Sequence, residues 1–158
     1  MEENIVKILW TGGFDSTYRL VQLSRENVNI QPYYIVNEHR ESLNEERKAM
    51  KEIYNILKEK PERQAKLLPI IELKRSDYPI ELETHNSYKE VYQKAKLGPQ
   101  YEWLSQVSKN VSDIEISLEK SANNPTRYDL YLREAKFEVN YPENKIRAYY
   151  VLTKDNDP

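Results

Sequence analysis

With 158 residues, the chain is the size of one domain, or of one domain with an appendage, and can bury roughly 70% of its unfolded surface without a covalent staple. It contains no cysteine, which excludes a disulfide scaffold, a thiolate zinc site, a cysteine nucleophile and a thiol-based sulfur relay. Lys and Arg number 24 against 26 Asp and Glu, a formal charge of −2, so the global basic footprint of a nucleic-acid binder is missing.

The acidic start, Met1-Glu2-Glu3-Asn4, is unlike a signal peptide. Apolar runs such as Leu67-Leu68-Pro69-Ile70-Ile71 are too short to span a bilayer. The expectation is a cytoplasmic protein with no membrane partner and no nucleic-acid partner.

Ile5-Val6-Lys7-Ile8-Leu9-Trp10 reads as a buried strand of a parallel sheet. It runs through Thr11-Gly12-Gly13-Phe14 into a helix predicted from Asp15 or Ser16 to Arg25, with Thr17, Leu20, Val21 and Ser24 on one face. A second strand follows at Pro32-Tyr33-Tyr34-Ile35-Val36. Ser42-Leu43-Asn44-Glu45 has the form of a capping box, opening a helix with Met50, Ile53, Tyr54 and Leu57 in register. Lys66 to Leu73 forms a third strand candidate, in which Pro69 lacks a ladder donor.

Lys74 to Asn86 is polar and shows no period. Ser87-Tyr88-Lys89-Glu90 is a second capping-box pattern, with Tyr88, Val91, Tyr92 and Ala95 on one helical face. Gly98-Pro99 opens a further helix carrying Gln100, Trp103, Leu104 and Val107. Asp113 to Leu118 is a fourth strand, and the pattern βαβαβααβ predicts a doubly wound α/β sheet over residues 1–120. Residues 121–153 read as a C-terminal extension built on an antiparallel hairpin. Ala135 to Tyr141 would be its first strand, Pro142-Glu143-Asn144 its turn and Ile146 to Leu152 its return. Residues 154–158 read as a frayed tail. Such an edge hairpin is able to pair with a second copy, giving a homodimer.

The chain has three glycines where average usage of roughly 7% would give about 11. Gly12 and Gly13 are adjacent, and Gly98 stands before a proline. So sparing a use suggests positions of positive φ or of close approach to a ligand.

Strand, then Thr11-Gly12-Gly13-Phe14-Asp15-Ser16-Thr17, then helix is an arrangement that binds phosphate. Glycines let backbone N–H groups converge, and the helix adds its unpaired first-turn amides and positive dipole end. Ser16 and Thr17 add hydroxyls. Asp15 either caps the helix or holds Mg²⁺ that bridges phosphate oxygens. Neither GxxxxGK[ST] nor GxGxxG occurs. The plainer alternative is a tight strand-to-helix turn with Asp15 or Ser16 as an ordinary cap.

Trp10-Thr11-Gly12-Gly13-Phe14-Asp15-Ser16-Thr17 resembles the SGGxDS loop of the PP-loop ATP pyrophosphatases, a group of adenine nucleotide alpha hydrolase-like (HUP, Rossmann-like) fold, with Thr11 in place of the usual Ser. Together with Asn37-Glu38-His39-Arg40-Glu41-Ser42 and Leu97-Gly98-Pro99-Gln100-Tyr101, it makes the chain most similar to 7-cyano-7-deazaguanine synthase-like proteins of queuosine biosynthesis, over residues 5 to 118. The resemblance implies a parallel sheet in order 3-2-1-4-5 with the loop at the topological switch point. It also implies a nucleotide site of Trp10, Thr11, Gly12, Gly13, Phe14, Asp15, Ser16 and Thr17, with Trp10, Ile35, Val36 and Asn37 near the adenine. Read from position alone, Arg40 in the loop after the second strand and Gly98 and Gln100 at a second helix start are further binding candidates, although a plain helix-start device is the better reading of Gly98-Pro99. Asp15 and Ser16 would be catalytic, ATP and Mg²⁺ would be bound, and Asp15 would be the metal ligand. The implied chemistry is adenylation of a small-molecule substrate with loss of pyrophosphate. The cysteine-ligated zinc site of the deazaguanine synthases has no counterpart here. An alternative is a nucleotide-binding or partner-binding module of the same fold without catalysis.

Arg40, Arg47 and Lys48 follow the second strand and are suited to clamping a phosphate or carboxylate, or to a solvated helix face. For Arg47 and Lys48 the solvated face is the better reading. His39 and His85, with Glu38, Glu41 and Glu83 nearby, match no helix-based metal spacing and read as surface residues. Most of the thirteen tyrosines read as amphipathic packing residues.

Overall fold

The computed structural model describes residues 4–95, 98–111, 113–119 and 146–151. They fall into two compact units. The first runs to Asp77 and includes Glu115–Ser117; the second holds Tyr78–Ile114 and the chain from Leu118 on.

In the first unit, strands and helices alternate as β1 (Ile5–Leu9), α1 (Phe14–Ser24), β2 (Asn29–Val36), α2 (Leu43–Glu59), β3 (Lys66–Leu67) and β4 (Ile71–Lys74), ending in a 3-10 turn at Arg75–Asp77. β5 (Ile114–Glu119) returns to the sheet. The fold is α/β with a parallel sheet in which β3, β2, β1 and β5 follow one another and β4 also pairs with β2. The register sets Ile5 opposite Asn29 and Leu9 opposite Tyr33. Sheet order therefore reverses beside β1, where an open α/β sheet leaves a crevice at its strand ends.

The core joins Ile8 and Trp10 with Leu20 and Leu23 of α1, Ile30, Tyr34 and Val36 of β2, and Met50 and Leu57 of α2. Each fully buried aliphatic side chain contributes about 1.5–3 kcal/mol relative to exposure. Met50 and Leu57 are buried, with Ile53 and Tyr54 packed partly against them, as the helical register of α2 predicts. The buried face of α1 consists of Ser16, Arg19, Leu20, Leu23 and Ser24, rotated from the predicted one because an arginine and a serine take inward positions.

The predicted third strand is broken at Pro69. Ile30 faces Leu67 and Tyr33 faces Ile71, so four steps along one strand match three along the other, and one extra residue bulges out. Side chains serve the carbonyls of the break. Gln31 Nε2 donates to Pro69 O at 2.7 Å, and Tyr54 OH lies 3.3 Å from Leu67 O and 3.1 Å from Leu68 O. Arg47 of α2 ties the far half down with a two-pronged pair to Glu72, Nε–Oε1 2.8 Å and Nη2–Oε2 2.7 Å.

In the second unit, α3 (Leu82–Ala95) and α4 (Gln100–Ser108) are joined by a polar core. Gln106 Oε1 accepts the Glu81 amide at 3.0 Å and the Thr84 hydroxyl at 2.7 Å. α3 thus begins five residues before the Ser87 capping box, which lies mid-helix. Its first inward residue is Thr84, so the stretch up to Asn86 shows no apolar period. Trp103 and Val107 of α4 are buried as expected. Asp113 has φ 63°, a left-handed turn that starts β5 one residue later than predicted. β6 covers Ile146–Val151. The predicted strand Ala135 to Tyr141, its turn and the tail 154–158 lie outside the described residues.

Candidate functional site

The ladder continues one residue past β1, where the Trp10 amide donates to Tyr33 O at 2.9 Å. Then the chain turns. Gly12 has φ +75°, and a Cβ there would lie 3.0 Å from Met50 Cγ. Both the backbone and the neighbour therefore call for glycine. Gly13 has ordinary extended backbone (φ −74°, ψ 168°), and Gly98 has open space around its missing Cβ. Of the three glycines, Gly12 alone meets the expectation of positive φ.

α1 begins at Phe14 with Gly13 as its cap. Asp15 and Ser16 are the second and third helical residues, so neither is the N-cap, which corrects the capping alternative. Thr17 N–H donates to Gly13 O at 3.0 Å, closing the first turn. No described group accepts a hydrogen bond from the amides of Phe14, Asp15 or Ser16.

Ser16 is buried and turns back to the strand end. Its Oγ accepts the Thr11 amide at 3.2 Å and lies 3.1 Å from Thr11 Oγ1. Trp10, fully buried, donates its indole N–H to Thr17 Oγ1 at 2.9 Å. Two side-chain links thus bolt the first turn of α1 to the residues before the glycines. Asp15 is half-buried and makes no hydrogen bond or ion pair among the described residues, and Phe14 is 97% exposed.

After β2, two turns lead into α2. Asn37 O accepts the Arg40 amide at 3.0 Å, and Arg40 O accepts the Leu43 amide at 3.2 Å. Arg40 Nε lies 2.9 Å from Glu46 Oε1 and 3.2 Å from Ser42 Oγ, so its guanidinium is held at the head of α2. Ser42 does cap α2, but its hydroxyl donates to Glu46 at 2.9 Å rather than joining Glu45 in a capping box. Tyr34 OH donates to the other Glu46 oxygen at 2.7 Å. Burial, then this bond to Glu46, pushes the phenol up to about 12. Burial alone would raise Glu46, but bonds from Tyr34 and Ser42 and the charge of Arg40 outweigh it and hold the carboxyl below its ordinary value.

The loop after β4 is stitched to the loop after β2, with Ser76 Oγ donating to Glu38 Oε2 at 2.9 Å and Lys74 Nζ 3.9 Å from Glu38 Oε1. Among the remaining candidates, Ile35 is half-buried and Val36 belongs to the core. Lys48 and His39 are exposed. In the second unit, Gly98 and Gln100 stand at the start of α4, and His85 Nδ1 lies 2.5 Å from Glu102 Oε1. No cluster of three or more His, Asp or Glu side chains suited to a metal occurs among the described residues.

Sequence reasoning missed three pairs: Gly12 with Met50, Tyr34 with Glu46, and the buried Arg19 with Glu115. A glycine followed by a helix in register was a usable signal for the first. The other two join polar residues from separate elements, and local pattern holds no trace of them.

At the strand ends of the sheet, the arrangement gathers three uncapped amides and the Thr11 hydroxyl around a turn whose first glycine has positive φ, with Met50 Cγ 3.0 Å from where its Cβ would lie. Such a set of donors suits an oxyanion. No known family model, curated protein or solved structure matches the chain.

Proposed function

We propose that the Thr11–Thr17 loop binds ATP and that the chain adenylates a small-molecule substrate with release of pyrophosphate, in the manner of 7-cyano-7-deazaguanine synthase-like PP-loop proteins. The observation that carries this reading is the Gly12 turn, with φ +75° and Met50 Cγ 3.0 Å from its Cβ position, directly before three uncapped helix amides.

In this reading, the amides of Phe14, Asp15 and Ser16 and the Thr11 hydroxyl donate to phosphate oxygens, with the Ser16 hydroxyl bracing Thr11 from the buried side. The backbone at Ile35–Asn37 flanks the adenine. A substrate oxygen attacks the α-phosphorus, the bond from that phosphorus to the bridging oxygen breaks, and pyrophosphate leaves. Catalysis is then positioning and stabilisation of charge, with Asp15 and Ser16 nearest the reaction. Mg²⁺ bound with the nucleotide would neutralise phosphate charge, and Asp15, which has no partner among the described residues, is the carboxylate to hold it.

The test is calorimetric titration of MgATP into wild type, Asp15→Ala and Gly13→Val. The extended backbone at Gly13 suits valine, whose Cβ would lie 3.3 Å from Thr11 Oγ1, so that variant crowds the loop at the phosphate approach without straining the backbone. Both variants are expected to weaken binding at least tenfold, after which carboxylic acids are screened for pyrophosphate release. No binding up to millimolar MgATP overturns the reading. Binding without AMP or pyrophosphate from any acceptor leaves a nucleotide-binding module without turnover.

A further inference from the structure

One turn after Ser16, on the same buried face of α1, Arg19 is 5% exposed. Its Nε lies 3.2 Å from Oε2 of Glu115, a β5 residue that is 4% exposed. Arg19 Nη1 also lies 3.7 Å from the more exposed carboxylate of Glu26. Taking both members of a pair out of water is unfavourable, and two apolar side chains of similar volume hold a fold together as well or better. What an ion pair supplies and an apolar contact does not is direction: a guanidinium and a carboxylate meet in few orientations.

β5 is the neighbour of β1 in the sheet, and the phosphate-type loop leaves β1. Trp10–Thr17 and Thr11–Ser16 fix the first turn of α1 to the end of β1, while Arg19–Glu115 fixes the second turn to β5. We propose that Arg19 and Glu115 are a positioning pair for the loop, setting the rotation of α1 so that Ser16 meets Thr11 and the open amides face the turn. The consequence for nucleotide affinity rests on the ATP-binding reading; the positioning itself is measured without nucleotide.

The experiment follows hydrogen exchange by NMR in ligand-free protein at the Thr11 and Thr17 amides and the Trp10 indole, against the amides of the β1–β2 ladder. Two variants are compared with wild type: Glu115→Gln, which keeps the shape and removes the charge, and Arg19→Met with Glu115→Leu, which makes the contact apolar. In the double variant the three reporters are expected to exchange at least tenfold faster with the ladder unchanged, and in Glu115→Gln about threefold faster. MgATP affinity falls by similar factors.

Unchanged reporters in Glu115→Gln and in a folded double variant overturn the proposal. So does a rise shared equally by the ladder, which is the signature of a merely structural pair. Should the double variant fail to fold, Glu115→Gln alone decides between these results. If wild type binds no MgATP while the reporters respond as expected, the nucleotide reading fails and the positioning pair stands.

Discussion

The indole N–H of Trp10 reaches across the glycine turn to Thr17 Oγ1 at 2.9 Å, so the last residue before the loop and the first turn after it share a hydrogen bond. Trp10 is fully buried, and without Thr17 its donor would face the core unpaired. Thr17→Val keeps the branched shape and removes the acceptor. The expected loss is about 1–2 kcal/mol, the usual penalty for stranding a buried donor, read from urea denaturation.

The two adjacent glycines are expected to respond differently to alanine. Gly12→Ala forces a side chain into left-handed backbone and against Met50, which together cost about 1–3 kcal/mol. Gly13→Ala keeps an allowed conformation and meets only Thr11 Oγ1 at 3.3 Å, so its stability should remain within about 0.5 kcal/mol of wild type. Thermal denaturation of the two variants side by side checks the contrast.

The Tyr34–Glu46 bond makes stability depend on pH at both ends. Tyr34 rises from 10.0 to about 12, so its contribution is complete below pH 10 and is lost as pH climbs toward 12. Glu46 is lowered from 4.5, so its contribution is complete above that pH and is lost as pH falls through the lowered value. Urea midpoints measured across the pH range should fall in both limbs. Tyr34→Phe should flatten the alkaline limb and lower the plateau by about 1 kcal/mol.

At the broken strand, the Tyr54 hydroxyl serves Leu67 O and Leu68 O, and the Gln31 amide serves Pro69 O. Tyr54→Phe and Gln31→Leu should each cost about 0.5–1.5 kcal/mol. Because the acceptors are neighbours in one short segment, the double variant is expected to depart from additivity. A double-mutant cycle in urea reads the coupling directly.

Much of the sheet was legible because its strands are short apolar runs separated by polar helices with clear period. The predicted third strand, split into β3 and β4, lies next to the second, the second next to the first and the first next to the fourth. The α2 face was readable for the same reason. The start of α3 was not, since its inward residue is Thr84, paired with Gln106, and a polar core leaves no hydrophobic period. α1 was misread by one or two residues because a glycine cap carries no side-chain signal, and its buried face was misread because Arg19 points inward. At the candidate site, the loop residues were legible as a run. Which glycine the backbone needs depends on a local φ and on Met50, far along the chain, neither of which the run of residues reveals.

The interruption at Pro69 also bears on what this side of the sheet can attract. β3 offers two residues and β4 four, and the register against β2 slips by one between them. A foreign strand aligned with one half would have its side chains inverted against the other, and at Pro69 it would find no amide to accept from. The proline thus works as a gatekeeper against edge-to-edge stacking of copies into fibrils.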